Sequence, residues 1–241
     1  MKRKLENVTL LGIDCLDLDR LIQVAEICQK DFEFAEVKLL SSIKSDHPNV
    51  IPINEIKSVE EYSRFAIAEI DKYVSTTHVL IIQYDGFILN PDAWTDEFLE
   101  YDYIGSPWLV SQKLSVNVFG FPEKLVGKFV VGNGGFSLRS KKLTSLCAEL
   151  AHKNFFTKYH PEDVVLCVKN RKFLEDSGIK FAPVPLAQRF SFEAESEEKY
   201  TWDGQFGFHS LNWTDISKWL KKNPNYNIKN TIRVKMKIKK W

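Results

Sequence analysis

Four short segments of this 241-residue chain carry side chains whose types and spacing could do chemistry. Gln83-Tyr84-Asp85-Gly86 follows the apolar run His78-Val79-Leu80-Ile81-Ile82. A carboxylate directly after a buried strand stands at the carboxyl edge of a sheet. A hard divalent cation that bridges two phosphates needs only one or two protein carboxylates, because the phosphates supply other oxygens. An Asp-Gly corner is also ordinary turn chemistry. His160-Pro161-Glu162-Asp163 reads as a helix start, since Pro suits the first turn and acids favour a helix N-terminus. The same two carboxylates at a loop–helix junction could supply a general base. Gly207-Phe208-His209-Ser210 offers one imidazole, either a metal ligand or a half-buried residue satisfied by its neighbours. Tyr101-Asp102-Tyr103-Ile104-Gly105-Ser106-Pro107-Trp108 sets aromatics beside a turn, which suits either a sugar-stacking wall or core packing.

A fifth segment, Val131-Gly132-Asn133-Gly134-Gly135-Phe136-Ser137-Leu138-Arg139-Ser140, holds three glycines in four positions, in a chain with only 11. Glycine lets backbone approach a ligand closely. The cluster follows the apolar run Phe129-Val130-Val131 and precedes a helix predicted from about Ser140. The end of a strand is where open α/β sheets bind ligands. Its spacing fits neither a dinucleotide fingerprint nor a P-loop. A tight turn inside a sheet explains it equally well.

The elements that must position these residues alternate through the first hundred positions. Strands are predicted at Val8–Ile13, Ala35–Leu40 and His78–Gln83, with a short extended piece at 50–53. Helices are predicted over Asp19–Lys30, by the spacing of Leu21, Ile22, Val24, Ala25 and Ile27, and from a Ser58 cap to about Tyr73. A short helix is read over Pro91–Leu99, and a strand over Tyr103–Gly105. This alternation implies a mostly parallel central sheet flanked by helices, in a single α/β domain. Residues 106–128 read as an ordered loop over a site. Helices are read at 142–153 and 161–176, and extended segments at 179–182 and 189–193.

Lys and Arg total 33 against 32 Asp and Glu, so no global field points to nucleic acid. The four cysteines are scattered without a Cys-x-x-Cys pair, and Cys15, Cys28 and Cys147 suit reduced, buried thiols. The basic start lacks the apolar core of a signal peptide, and no run approaches a spanning helix. A cytoplasmic protein is expected. From Lys218 to Trp241 there are nine Lys or Arg and no Asp or Glu. That tail, 218–241, reads as a lysine-guarded edge strand or as a contact with anionic lipid at the inner face of a membrane.

The order of the segments resembles the GT-A glycosyltransferases over roughly Val8 to Trp213. More closely, the 101–108 and 131–140 segments look like a bacterial and fungal family of glycosyltransferase-like character catalogued as a domain of unknown function. The resemblance implies a GT-A (Rossmann-like) domain over 1–217. It also implies a nucleotide-sugar donor, a UDP-sugar, and a glycan or lipid-linked glycan acceptor. Gln83-Tyr84-Asp85 falls at the Asp-x-Asp position: Asp85 keeps the carboxylate that holds Mn²⁺ or Mg²⁺, and Gln83 replaces the first one. That replacement puts strong metal dependence in doubt. Gly134 and Gly135 match the glycines under the donor sugar. Glu162-Asp163 looks like the Glu-Asp of inverting members, with Asp163 as the base. His209 matches the histidine that completes the metal site, and Ile13-Asp14 falls where the nucleotide base is contacted. Two competing readings are a non-catalytic nucleotide-sugar-binding module, suggested by Gln83, and an adaptor using its basic tail.

Overall fold

The structure is a computed structural model that describes residues 2–193 and 203–209. The basic tail and residues 194–202 lie outside the described residues. Strand β1 (Arg3–Ile13) is buried at every position from Val8 to Ile13, as its unbroken apolar run requires of a strand covered on both faces. Helix α1 (Leu18–Cys28) starts where the Asp17 side chain accepts a hydrogen bond from the Arg20 amide. It turns Leu18, Leu21, Val24, Ala25 and Cys28 inward. After β2 (Phe32–Ser41) and β3 (Val50–Pro52), α2 (Val59–Ala68) is capped by Ser58, which accepts from Glu61 N. The Glu61 carboxylate in turn accepts from Lys57 N, closing the first turn from both sides.

β4 (His78–Ile82) is wholly buried and turns sharply into β5 (Gly86–Ile88). Gln83 and Gly86 exchange two backbone hydrogen bonds of 3.0 Å, so Tyr84 and Asp85 are the two residues of a hairpin turn. Next come β6 (Tyr103–Gly105) and the ribbon β7 (Pro107–Leu109) and β8 (Phe129–Val131). β9 (Ser137–Ser140) leads into α3 (Lys141–His152), capped by Ser140. A short α4 (Glu162–Val164) runs into a π-helical turn over Val165–Lys169, then α5 (Arg171–Asp176). Helix α6 (Val184–Phe190), β10 (Ser191–Phe192) and β11 (Gly207–His209) close the described chain.

The main sheet has the order β3-β2-β1-β4-β9-β6. The first four strands are parallel, and β9 alone runs against its neighbours β4 and β6. A smaller sheet, β10-β11-β5, stands beside the hairpin turn. Alternate residues of the central strands feed two cores: Leu10, Leu39, Leu80 and Ile82 face α1, while Leu11, Leu40, Val79 and Ile81 face the α2 side. Each such fully buried side chain stabilises the fold by roughly 1.5–3 kcal/mol. Val110, Phe121, Val130 and Val164 form a third, small core under the β7–β8 ribbon.

Three expectations change. The 161–176 helix is split by the π-helical turn and Asn170. Of the segment 189–193, Ser191–Phe192 is a strand as expected, but residues 189 and 190 end the helix Val184–Phe190, whose first turn Pro183 and Pro185 fit. Residues 106–128 are not a plain loop throughout, since Pro107 pairs with Val131 and Leu109 with Phe129. All four cysteines are buried free thiols. Among the described residues no helix is long and apolar enough to cross a membrane.

Candidate functional site

The glycine turn between β8 and β9 is the floor on which the other groups sit. Asn133 takes φ = 62°, a left-handed conformation that Asn tolerates better than most side-chain-bearing residues. Its Oδ1 accepts from the amides of Gly135 and Phe136, at 3.1 and 3.3 Å, and Tyr103 Oη donates to its carbonyl at 2.9 Å. Gly134 and Gly135 then pass between two functional side chains with no room to spare. A Cβ at Gly134 would lie 1.8 Å from Glu162 Oε1, and one at Gly135 would lie 2.0 Å from His209 Nε2.

Asp85 and His209 meet above that floor. The hairpin turn presents Asp85, which is 8% exposed, and β11 pairs antiparallel with β5 so that His209 lies opposite Gly86. His209 Nε2 is 3.5 Å from Asp85 Oδ1 and 3.1 Å from Gln83 Oε1. Gln83 donates its amide to Tyr62 Oη on α2 at 2.7 Å, which fixes Oε1 toward His209. Burial is the largest influence on Asp85 and works to raise its pKa, but the charge and hydrogen bonding of His209, a backbone hydrogen bond and the charge of Arg20 together hold the carboxyl below its usual value. Burial likewise opposes charge on His209, yet Asp85 and Glu193 together lift its pKa to about 10.

Asp85 Oδ1 is buried with no hydrogen bond, and the His209 imidazole, 3.5 Å away, is the positive group beside it. No cluster of three His, Cys, Asp or Glu side chains able to hold a metal exists among the described residues. The donors that converge are one carboxylate, one imidazole and one amide oxygen. Such a set fits a cation that takes its remaining ligands from phosphate oxygens.

Asp163 is held on the same glycine turn by backbone amides. Its Oδ2 accepts from Gly134 N at 3.0 Å and its Oδ1 from Val164 N at 2.8 Å. Burial, then the carboxylates of Glu162 and Glu193, push its pKa up to about 7, against the lowering effect of those two amides. Glu162 is 7% exposed and pairs with Arg139, whose guanidinium is 3.3 Å away and 2% exposed. Arg139 also donates to Ser137 Oγ and to the Gly134 carbonyl, so the pair ties α4 to β9 and to the glycine turn.

The structure brings Gln83, Asp85, Gly134, Gly135, Asp163 and His209 to one place at the carboxyl edge of the sheet, with Glu162 beneath. Ile13 and Asp14 end β1 nearby; Ile13 joins the core on the α2 side. Asp14 Oδ1 accepts from the amides of Leu16 and Asp17, and its Oδ2 pairs with Arg20. The Arg20 guanidinium stacks 3.8 Å over the Tyr84 ring, which links Asp14 to the Asp85 turn. Sequence reasoning missed Tyr62, Asn133 and Glu193. Glu193 accepts from Trp108 Nε1 at 2.6 Å and reaches His209 Nδ1 at 3.4 Å. Only Asn133 left a signal, as the one side chain inside the glycine cluster. Trp108 is half-buried against this network, and Tyr103 is a core residue.

A mostly parallel sheet with a reversed strand, and an Asp-bearing turn at its carboxyl edge, defines a GT-A fold. The architecture matches the solved galactosyltransferase LgtC in complex with donor and acceptor sugar analogues. Its TM-score is 0.52 at 14% identity, with 97% of each chain covered. An active-site mutant of LgtC matches with a TM-score of 0.50 at 14% identity, over 85% of this chain and 87% of that one. At such identity the likeness is one of fold. The chain belongs to the family described as protein of unknown function (DUF5672), whose pattern matches residues 48–209. That span contains the Asp85 turn, the glycine turn, Glu162-Asp163 and His209, and leaves β1 and Asp14 outside. A comparison with curated proteins returns no match.

Proposed function

We propose that this chain is a glycosyltransferase that moves a sugar from a UDP-sugar to a hydroxyl of a glycan or lipid-linked glycan, with inversion. One observation carries the reading. Asp85 and His209, 3.5 Å apart, and Asp163, with its pKa raised to about 7, converge on one glycine turn, where Asp163 accepts from Gly134 N. Sugar transfer separates charge. The acceptor oxygen bonds to the anomeric carbon, the bond to the diphosphate breaks, and the acceptor proton must leave. Asp163 takes that proton as a base poised near neutrality. Gly134 and Gly135, lacking side chains, let Glu162 and His209 lie against the backbone, and Glu162 keeps Arg139 and the glycine turn in register. Asp85 and His209 would hold Mn²⁺ or Mg²⁺, which when bound neutralises the departing diphosphate.

The test is calorimetric titration of UDP with and without Mn²⁺, on the wild type and on Asp85→Ala. Metal-dependent binding that vanishes in the variant is expected, and absence of UDP binding under both conditions overturns the reading. One observation favours a second reading, a metal-independent binding module. Gln83 Oε1 already lies within hydrogen-bond distance of His209 Nε2, the nitrogen a cation would use. UDP affinity indifferent to Mn²⁺, with no transfer from any UDP-sugar, would select it.

A further inference from the structure

Eight large apolar side chains are exposed among the described residues, and three of them, Leu114, Val118 and Val126, fall within 13 positions. They are 55%, 65% and 40% exposed. All three stand at the far end of the ribbon formed by β7 and β8, beyond its last pair, Leu109 with Phe129. Leu114 and Val118 are one helical turn apart, joined by the bond from Val118 N to the Leu114 carbonyl, so they share a face. Val126 lies in the returning turn, which is pinned to the ribbon by Gly127 N donating to the Val110 carbonyl.

The charges around this tip are mostly positive. Lys113, Lys124 and Lys128 are exposed, and Glu123 is the one acidic residue between Val110 and Lys128. None of the three lysines joins an ion pair among the described residues. Composition separates two kinds of occupant. Protein interfaces are enriched in Trp, Tyr, Met and Arg and depleted of Lys. Aliphatic side chains ringed by lysines instead match an interface with headgroups above and acyl chains below.

We propose that the tip of the β7–β8 ribbon is a docking surface for an anionic lipid bilayer. Leu114, Val118 and Val126 enter the headgroup boundary, and Lys113, Lys124 and Lys128 pair with lipid phosphates. The ribbon carries this contact to the site rigidly, because Val110, Phe121 and Val130 pack against Val164, the neighbour of Asp163. A bilayer held at the tip therefore stands at a set distance from the glycine floor. The proposal stands on the exposed surface and does not rest on the sugar-transfer reading.

The test is co-sedimentation of the full chain with vesicles of phosphatidylglycerol and phosphatidylcholine, against phosphatidylcholine alone. The variants are Leu114→Ser/Val118→Ser/Val126→Ser and Lys113→Gln/Lys124→Gln/Lys128→Gln. These positions are exposed, so melting temperature should be preserved in both. The wild type should prefer the anionic vesicles. The serine variant should lose at least tenfold in partition, and each lysine removed should cost on the order of fivefold. The basic tail is identical in every arm, so binding carried by it would leave the variants unchanged, which overturns the proposal. Equal partition onto neutral vesicles also overturns it. So does a wild-type dimer that the serine variant converts to monomer without loss of vesicle binding, for then a second copy covers the tip.

Discussion

His209 has two opposed neighbours at one nitrogen. The orientation of the Asn133 amide is fixed, because its Oδ1 accepts from two backbone amides, so its Nδ2 faces His209 Nδ1 at 3.0 Å and favours a lone pair there. Glu193 Oε1, 3.4 Å from the same nitrogen, favours a proton. The carboxylates of Asp85 and Glu193 prevail over burial and lift the imidazole to about 10. Because that lies above the ordinary value of 6.5, this pairing stabilises the fold fully below about pH 6.5 and fades as pH rises toward about 10. Glu193→Gln should lower the His209 pKa in an NMR titration. It should also weaken Mn²⁺ binding about 10- to 100-fold, since such outer partners orient a ligating histidine. Asp163 obeys the same sign in a lower pH window. Its folded pKa of about 7 exceeds the usual 3.8, so the fold loses stability as pH rises from about 4 to about 7. Asp163→Asn should lower kcat by about 10²–10⁴ and remove the rise of kcat/KM through pH 7. At pH 8 it should melt no lower than the wild type, a combination that a merely structural aspartate would not give.

At the scale of elements, β9 and α4 hold the site through one buried ion pair. Glu162→Ala would leave the Arg139 charge buried and alone, and should destabilise the fold by about 3–5 kcal/mol in urea unfolding. Gly135→Ala acts differently. Its Cβ would displace the His209 ring, so Mn²⁺-dependent UDP affinity should fall at least tenfold by calorimetry. The two carboxylates were legible in sequence as a helix start, and so was the crowding of glycines, because both are local. That Glu162 is held in a buried ion pair was not. It depends on Arg139, 23 residues away on the reversed strand β9, and no local pattern records which strand an acid will face. Glu193 was hidden for a similar reason. Its placement follows from α6 and β10, which carry the chain to the site after a helix the sequence reading did not assign. Tyr62 was read only as part of α2, and its role appears when that helix lies across the end of β4.

For the whole molecule, alternating strands and helices foretold the parallel half of the sheet, because strands covered on both faces must be apolar throughout. The smaller sheet was not foretold, since β5, β10 and β11 are two or three residues each and β5 pairs with β11 across more than a hundred positions. Those short strands join the main body through Phe87, Phe190, Phe206 and Phe208, all fully buried in the largest core. Phe87 and Phe208 meet edge to face at 4.8 Å. The walls of the site are thus part of the core, and the site cannot open without disturbing it. The fold should therefore melt in a single transition, and a ligand at the site should shift that transition as a whole. UDP with Mn²⁺ at about 100 times its dissociation constant contributes about 2.7 kcal/mol, roughly 5–10 °C for a domain of this size. Differential scanning calorimetry should show that shift in the wild type and lose it in Asp85→Ala. A second transition that ignores the nucleotide would mean that β5, β10 and β11 unfold apart from the main sheet, and that the core joining them to His209 is weaker than its packed phenylalanines indicate.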